Sequence, residues 1–278
     1  MLHTISKILV GEVELDVTSP RSELALALKR AEGRDGSPGP TGRVVLSIAS
    51  QPPNSLLHDG YRWRKYQPAR LLEDARAAVR QADGADFLVH ASYLFAGVPP
   101  GEAAMGDRLR VIADAALEAE SLVLAGTVPA CVVRLGYLYG PDSRDLRLYR
   151  RAFRIGRLYW AGPGDVLQHH LHADDAATAL IAAAGQRSAG TIFAAADDTP
   201  ASFAAVMDHF ARMVGNPLPL HLPRFSRPLT RPFIAEEHVQ MVAFPSALAA
   251  GEPRPRNFEP ALPDYRAGLR QVVNSWKQ

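Results

Sequence analysis

Cysteine is nearly absent from this chain: Cys131 is the single one in 278 residues. That excludes an internal disulfide and any multi-cysteine metal site, and it fits a reducing compartment. Its setting, Ala130-Cys-Val-Val133, is that of a small buried hydrophobe in a strand and not of a reactive thiol. Lysine is also scarce, with only Lys7, Lys29, Lys65 and Lys277 among 31 basic residues, so arginine carries the positive charge. The net charge of +2 gives no reason to expect nucleic acid or an anionic membrane as partner. There is no apolar signal-peptide core and no run near the ~18 apolar residues of a membrane span, so a soluble cytoplasmic protein is expected. Glycine is missing where it would matter most for phosphate binding: no Gly-rich turn follows the first apolar run.

What is present reads as α/β. Lys7–Val10 and Val13–Val17 are short β-type runs, and Ser19-Pro20 sets up a helix over 21–32 with Leu24, Leu26 and Leu28 on its apolar side. The stretch Gly33 to Gly42 is a loop, and Val44 to Ala49 is an apolar run bounded by turn residues, the mark of a buried parallel strand. Helical spacing returns near Pro68–Ala82, then strand Phe87–Ala91, helix Asp107–Ala125 and strand Ala130–Leu135. Strands alternating with helices of this length predict right-handed crossovers and a Rossmann-like parallel sheet with helices on both faces. Helices around 146–155, from the paired aspartates, over 202–214 and over 264–276 follow, with a further strand at 191–196. The division expected is a reduced Rossmann-like core over 1–160 and a small C-terminal substrate-side lobe over 161–278, interleaved with the last core strand.

Three segments occur in a telling order: Phe87-Leu-Val-His-Ala-Ser92-Tyr-Leu-Phe-Ala-Gly97, Arg134-Leu-Gly-Tyr-Leu-Tyr-Gly-Pro141 and His170-Leu-His-Ala-Asp-Asp-Ala-Ala177. With Gly162-Pro-Gly-Asp165, Ala189 to Asp198 and Phe258 to Leu269, they make about two-thirds of the chain resemble the extended short-chain dehydrogenase/reductase family, the NAD-dependent epimerase/dehydratase group. The resemblance implies NAD or NADP contacts at Ala49, Ser50, His90, Ala91, Gly136, Tyr137 and Leu138. It implies a catalytic Ser92, and a nucleotide-sugar-like substrate held by Tyr139, Gly140, His172 and Asp175. It also implies a homodimer through the helix over 107–125 and its neighbour.

The same resemblance shows what is lost. The family's Tyr-x-x-x-Lys pair, one helical turn apart so that both point at the nicotinamide, falls on Ile112 and Ala116, neither of which exchanges a proton. Tyr61-Arg-Trp-Arg-Lys65 has the literal spacing, but it precedes the Ser92 strand in a loop-like stretch. At the front, Gly11-Glu-Val-Glu-Leu-Asp16 offers three carboxylates where a pyrophosphate would sit, so dinucleotide binding is expected to be weakened or lost. The segment Val10 to Leu28 matches the family's third strand and helix better. On that reading about 60 residues of the usual start are missing, and the remaining strand takes a central place or another chain covers the edge.

The run His169, His170, His172, Asp174, Asp175 is not read as a metal site, because consecutive residues on an extended chain point to opposite sides. Asp174 or Asp175 is read first as a helix cap. Ser92, ending a buried strand, has an equally plain structural use. The expectation is therefore a degenerate family member without classical redox catalysis, acting as a nucleotide-sugar or partner binding protein. The alternative is an active NAD(P)-dependent epimerase, dehydratase or reductase in which Tyr93, Tyr137 or Tyr61 replaces the lost tyrosine. A chain recorded from a downstream start shows the same losses, although the clean strands at 44–49, 87–91 and 131–135 argue against decay.

Overall fold

The computed structural model describes residues 6–10, 13–17, 23–31, 42–48, 68–98, 105–154, 159–161, 164–222, 225, 227–230, 236–246 and 253–277. Its main sheet has the order β1 (Ser6–Val10), β2 (Val13–Val17), β3 (Gly42–Ile48), β4 (Phe87–Tyr93), β5 (Ala130–Leu135), β10 (Ile192–Ala195). From β2 to β10 every neighbour is parallel, while β1 pairs antiparallel with β2. The apolar runs of β3, β4 and β5 are buried along nearly their whole length, as strands covered on both faces must be.

The Rossmann-like parallel sheet expected from the sequence is present, and one antiparallel strand is added at its edge. Strand β2 lies beside β3, in register Val17 with Leu46, one place in from the edge, which β1 of the same chain covers. A two-residue connection joins β1 to β2, too short for the crossover that parallel pairing needs, so the pair folds back as a hairpin.

Helices α1 (Glu23–Ala31) and α5 (Ala173–Gln186) cover one face. Leu24, Ala27, Leu28, Ala176, Leu180 and Ala183 pack there on Leu46, Phe87 and Val133. Helices α2 (Ala69–Gln81) and α3 (Asp107–Leu124) cover the other, where Ala75, Ala78, Ala119 and Val123 meet Val45 and Leu88. Leu109, Ile112, Ala113, Ala116, Glu120 and Val123 recur three or four apart on α3, which turns one stripe inward.

A second core lies beyond the sheet. It joins Leu146, Tyr149 and Phe153 of α4 (Arg144–Arg154) to Val206 and Phe210 of α6 (Phe203–Met213), and to Leu269 and Val272 of α9 (Tyr265–Ser275). Small parallel or antiparallel pairs connect the two regions: β6 (Tyr137–Tyr139) with β9 (His170–His172), β7 (Tyr159–Ala161) with β12 (Leu220–Leu222), and β8 (Leu167–Gln168) with β11 (Ala201–Ser202). Two further helices, α7 (Arg227–Thr230) and α8 (Glu236–Val242), complete the described chain. None of the helices described is long and apolar enough to cross a membrane.

Candidate functional site

The C-terminal ends of β4 and β5 lead into the segments the sequence singled out. Ser92 lies at the end of β4, in register with Arg134 of β5. Its hydroxyl donates to Glu120 Oε1 at 2.5 Å, and the same carboxylate accepts Arg134 Nε at 3.0 Å and Nη2 at 2.7 Å. Glu120 is only 2% exposed. It stands one turn past Ala116 and two past Ile112, so all three belong to the inward stripe of α3. The inward stripe of α3 thus carries an isoleucine, an alanine and an arginine-bound glutamate, the last meeting Ser92. The backbone partner that sequence reasoning gave Ser92 is replaced by a carboxylate.

Ile112 and Ala116 are sealed inside an apolar cluster with Tyr93, Phe95, Leu109, Met241 and Phe244. The rings of Tyr93 and Phe95 stack at 5.3 Å, and Phe95 stacks on Tyr137 at 6.2 Å. The Tyr137 hydroxyl donates to the carbonyl of Met241 at 3.3 Å, and burial holds its pKa above the ordinary phenol value. Gln168 Nε2 donates to the carbonyls of Met241 and Phe244 at 2.7 and 2.8 Å. The segment from α8 to residue 246 is thus tied down over Ile112 and Ala116.

Of the predicted cofactor residues, His90 is buried in the sheet with Nδ1 3.0 Å from Ser47 Oγ, and burial lowers its pKa to about 4. Ala91 packs into the sheet core. Gly136 passes so close to the His169 and His170 carbonyls that a Cβ would come within 2.9 Å of one of them. Leu138 packs on the core from β6. Ala49, Ser50 and Tyr61 lie outside the described residues.

The substrate-side residues do come together. Because β6 and β9 are parallel and in register, Tyr137 faces His170 and Tyr139 faces His172. The buried Tyr139 hydroxyl has no hydrogen-bond partner among the described residues, and neither do His170 Nδ1, His172 Nε2 and Asp197 Oδ2. Burial lowers the pKa of His170 and of His172 to about 4, and burial raises that of Asp197 to about 6. Among the described residues no group of three or more His, Cys, Asp or Glu is arranged to hold a metal ion.

The cap assignment is corrected. His172 caps α5, its Nδ1 accepting the backbone N–H of Asp174 at 3.2 Å, because the helix begins at Ala173 and leaves both aspartates inside the first turn. Asp174 accepts from Arg30 instead, and Asp175 accepts the backbone N–H groups of Ala261 and Leu262 at 3.0 and 3.1 Å. Gly140 lies against the Glu23 carboxyl at the start of α1, so the α1 N-terminus meets the Tyr139-Gly140-Pro141 turn. Two of the three carboxylates at 11–16, Glu14 and Asp16, are strand residues of β2, and Glu12 lies outside the described residues. The strand-to-helix junction there is 18–22, outside the described residues.

Sequence reasoning passed over Glu23, Glu120, Met241 and Phe244. Glu120 carried a signal, since it continues the i, i+4 series from Ile112 and Ala116 and is charged on an apolar stripe.

A parallel sheet with helices on both faces, with these motifs at its strand ends, defines a Rossmann-type protein. No protein-family model matches the chain. A curated relative, a 3-diazoavenalumate denitrifying reductase from a Streptomyces species, is 30% identical over 242 residues, spanning 81% of this chain and 76% of the relative. Among solved structures, the human epimerase family protein SDR39U1 with NADPH superposes with a TM-score of 0.70 at 16% identity, covering 94% of this chain and 99% of that one. UDP-glucose 4-epimerase from Thermotoga maritima with UDP-glucose gives 0.66 at 12% identity, covering 95% and 98%. The chain belongs to the extended short-chain dehydrogenase/reductase family, in its NAD(P)-dependent epimerase/dehydratase group.

The family implies NAD or NADP. At the positions where the sequence reading expects the family's tyrosine and lysine, Ile112 and Ala116 carry no transferable proton, and the Ser92 hydroxyl donates to Glu120. Glu23 Oε1, at the start of α1, is buried and has no hydrogen-bond partner among the described residues.

Proposed function

We propose that this protein keeps the family's ligand crevice but not its proton relay. It acts as a binding protein for a dinucleotide or nucleotide-sugar-like molecule without classical redox catalysis. The observation that carries this reading is the closed packing of Ile112 and Ala116 against Met241 and Phe244. Acid–base catalysis needs a titratable group within hydrogen-bond reach of the reacting atom, and at both positions that group is replaced by hydrocarbon.

The measurement that tests it exposes the protein to NAD and UDP-glucose together and follows both binding and sugar chemistry. Binding without a new sugar supports the reading, and an epimerised or dehydrated product sinks it.

A second reading is favoured by one specific observation, the name of the 30% identical relative, which is a reductase of a diazo compound. On that reading the chain reduces a diazo or carbonyl substrate with NAD(P)H, using Tyr93 or Tyr137 in place of the lost tyrosine. Oxidation of NADPH over a panel of such compounds, abolished by Tyr137→Phe or Tyr93→Phe, would decide for it.

The helix pair α2 and α3 is proposed as a homodimer face. Val111 and Leu117 of α3 support this, being 56% and 37% exposed on its outer side. Light scattering at the mass of one chain would remove it.

A further inference from the structure

Helix α4 carries Arg144, Arg147, Arg150, Arg151 and Arg154 within its 11 residues, and all five are exposed. Its apolar residues Leu146, Tyr149, Ala152 and Phe153 are buried in the second core, which fixes the helix with its arginines outward. At 3.6 residues per turn, Arg144, Arg147, Arg151 and Arg154 fall within about 80° of one another, a single stripe about 15 Å long.

The needs of the helix do not account for this stripe. Arg151 and Arg154 suit the negative end of the macrodipole, but Arg144 stands at the positive end, and like charges three and four residues apart repel. Arg147 donates to the carbonyl of Pro141 at 3.0 Å, and Arg150 lies over the Trp276 ring at 5.4 Å. Arg144, Arg151 and Arg154 have no hydrogen bond or ion pair among the described residues. Asp142, just before the helix, accepts from Arg30 instead. Asp145 sits off the stripe, about 100° round the helix from Arg144.

We propose that the α4 stripe docks an acidic helical segment of a partner protein. Guanidinium groups pair bidentately with carboxylates. Successive arginines of the stripe rise about 4.5–6 Å along the axis, the spacing of carboxylates three or four apart on an opposing helix. No large apolar side chain of α4 is exposed, so this face has nothing to insert into a membrane. A nucleic-acid strand running on past Arg144 would meet Asp142 and Asp145, whereas a short acidic helix can end there. The net charge of +2 gives no long-range field, so the attraction has to come from the stripe itself.

The test is fluorescence anisotropy of a labelled alanine-based peptide of about 20 residues with glutamates three and four apart. It is titrated with the full chain, with the triple variant Arg144→Gln, Arg151→Gln, Arg154→Gln, and with a control, Arg76→Gln, Arg80→Gln, that removes two exposed arginines of α2. Each titration is run at about 50 mM and about 300 mM salt. The expected result is binding at low salt that weakens at least about tenfold in the triple variant, with a flatter salt dependence, and that hardly changes in the control. The triple variant should melt no lower than the unaltered protein, since it loses only repulsions; a lower melting point would give the arginines to the fold and overturn the docking role. Where the triple variant does not fold, Arg151→Gln alone is read for its salt dependence. No binding of the peptide, or an equal loss in the control, would also overturn the stripe as a docking site. A labelled DNA duplex bound through the same arginines, with the peptide left free, would overturn the acidic helix as its partner.

Discussion

Glu120 shows at the scale of one side chain how this crevice has been rebuilt. A buried carboxylate is tolerable only when its oxygens are met, and here Arg134 and Ser92 meet them both. Replacing Glu120 by Ala removes the bidentate partner of a guanidinium that is itself 12% exposed. A loss of about 3 kcal/mol in urea unfolding is expected. A change near zero would mean that Ser92 and Arg134 are satisfied elsewhere.

His238 makes a different residue-scale prediction. It is fully buried, edge-on to Phe203 at 5.5 Å, and neither ring nitrogen has a hydrogen-bond partner among the described residues. Burial lowers its pKa from 6.5 to about 3. The unfolded chain therefore takes up a proton near pH 6.5 that the fold refuses, so this contribution to stability is present above 6.5 and is lost as the pH falls towards 3. Between about pH 6.5 and 4.5 the loss from this residue is on the order of 2 kcal/mol. Urea midpoints of His238→Phe measured across that range should show a shallower acid slope than the unaltered protein. Parallel slopes would remove His238 from the account of acid sensitivity.

At the scale of elements, the sequence was most legible where one period dominates. The runs at 44–49, 87–91 and 130–135 appear as β3, β4 and β5, and the helix predicted over 107–125 spans 107–124. Apolar runs bounded by turns, and a stripe at three- and four-residue spacing, are local patterns that tertiary packing reinforces. The run at 7–10 appears as β1, though its antiparallel pairing was not legible, and the strand pairs β6–β9 and β8–β11 were not legible, because two- and three-residue strands carry no period and exist through their partners. The substrate-side motif was readable as residues, but its geometry was not. That Tyr139 faces His172, and that His172 caps the helix in place of an aspartate, follows from the register of β6 with β9.

Gly268 carries the prediction at this scale. A Cβ there would meet the Tyr139 hydroxyl at 2.0 Å and its ring at 2.7 Å, so the close approach of α9 to β6 depends on glycine. Gly268→Ala gains helix propensity yet forces a buried ring to move. Overpacking of this kind costs about 1–3 kcal/mol. Thermal unfolding should show a lower midpoint, and a raised one would mean that Tyr139 has room that the packing of α9 on β6 does not suggest.

For the whole molecule, the family membership and the Rossmann-type sheet stand together with an apolar cluster that closes around Ile112 and Ala116. Ser92, Arg134 and the parallel pair β6–β9 lie beyond the strand ends, and the segment at 236–246 packs over Ile112 and Ala116 and is fastened through Gln168 and Tyr137. Proton magnetic resonance with saturation transfer, on the protein mixed with NAD and UDP-glucose, reads occupancy and chemistry in one sample. The result expected is transfer to ligand protons, with the sugar signals unchanged over hours. New sugar signals would contradict the dismantled relay, and no transfer to either ligand would contradict the retained crevice.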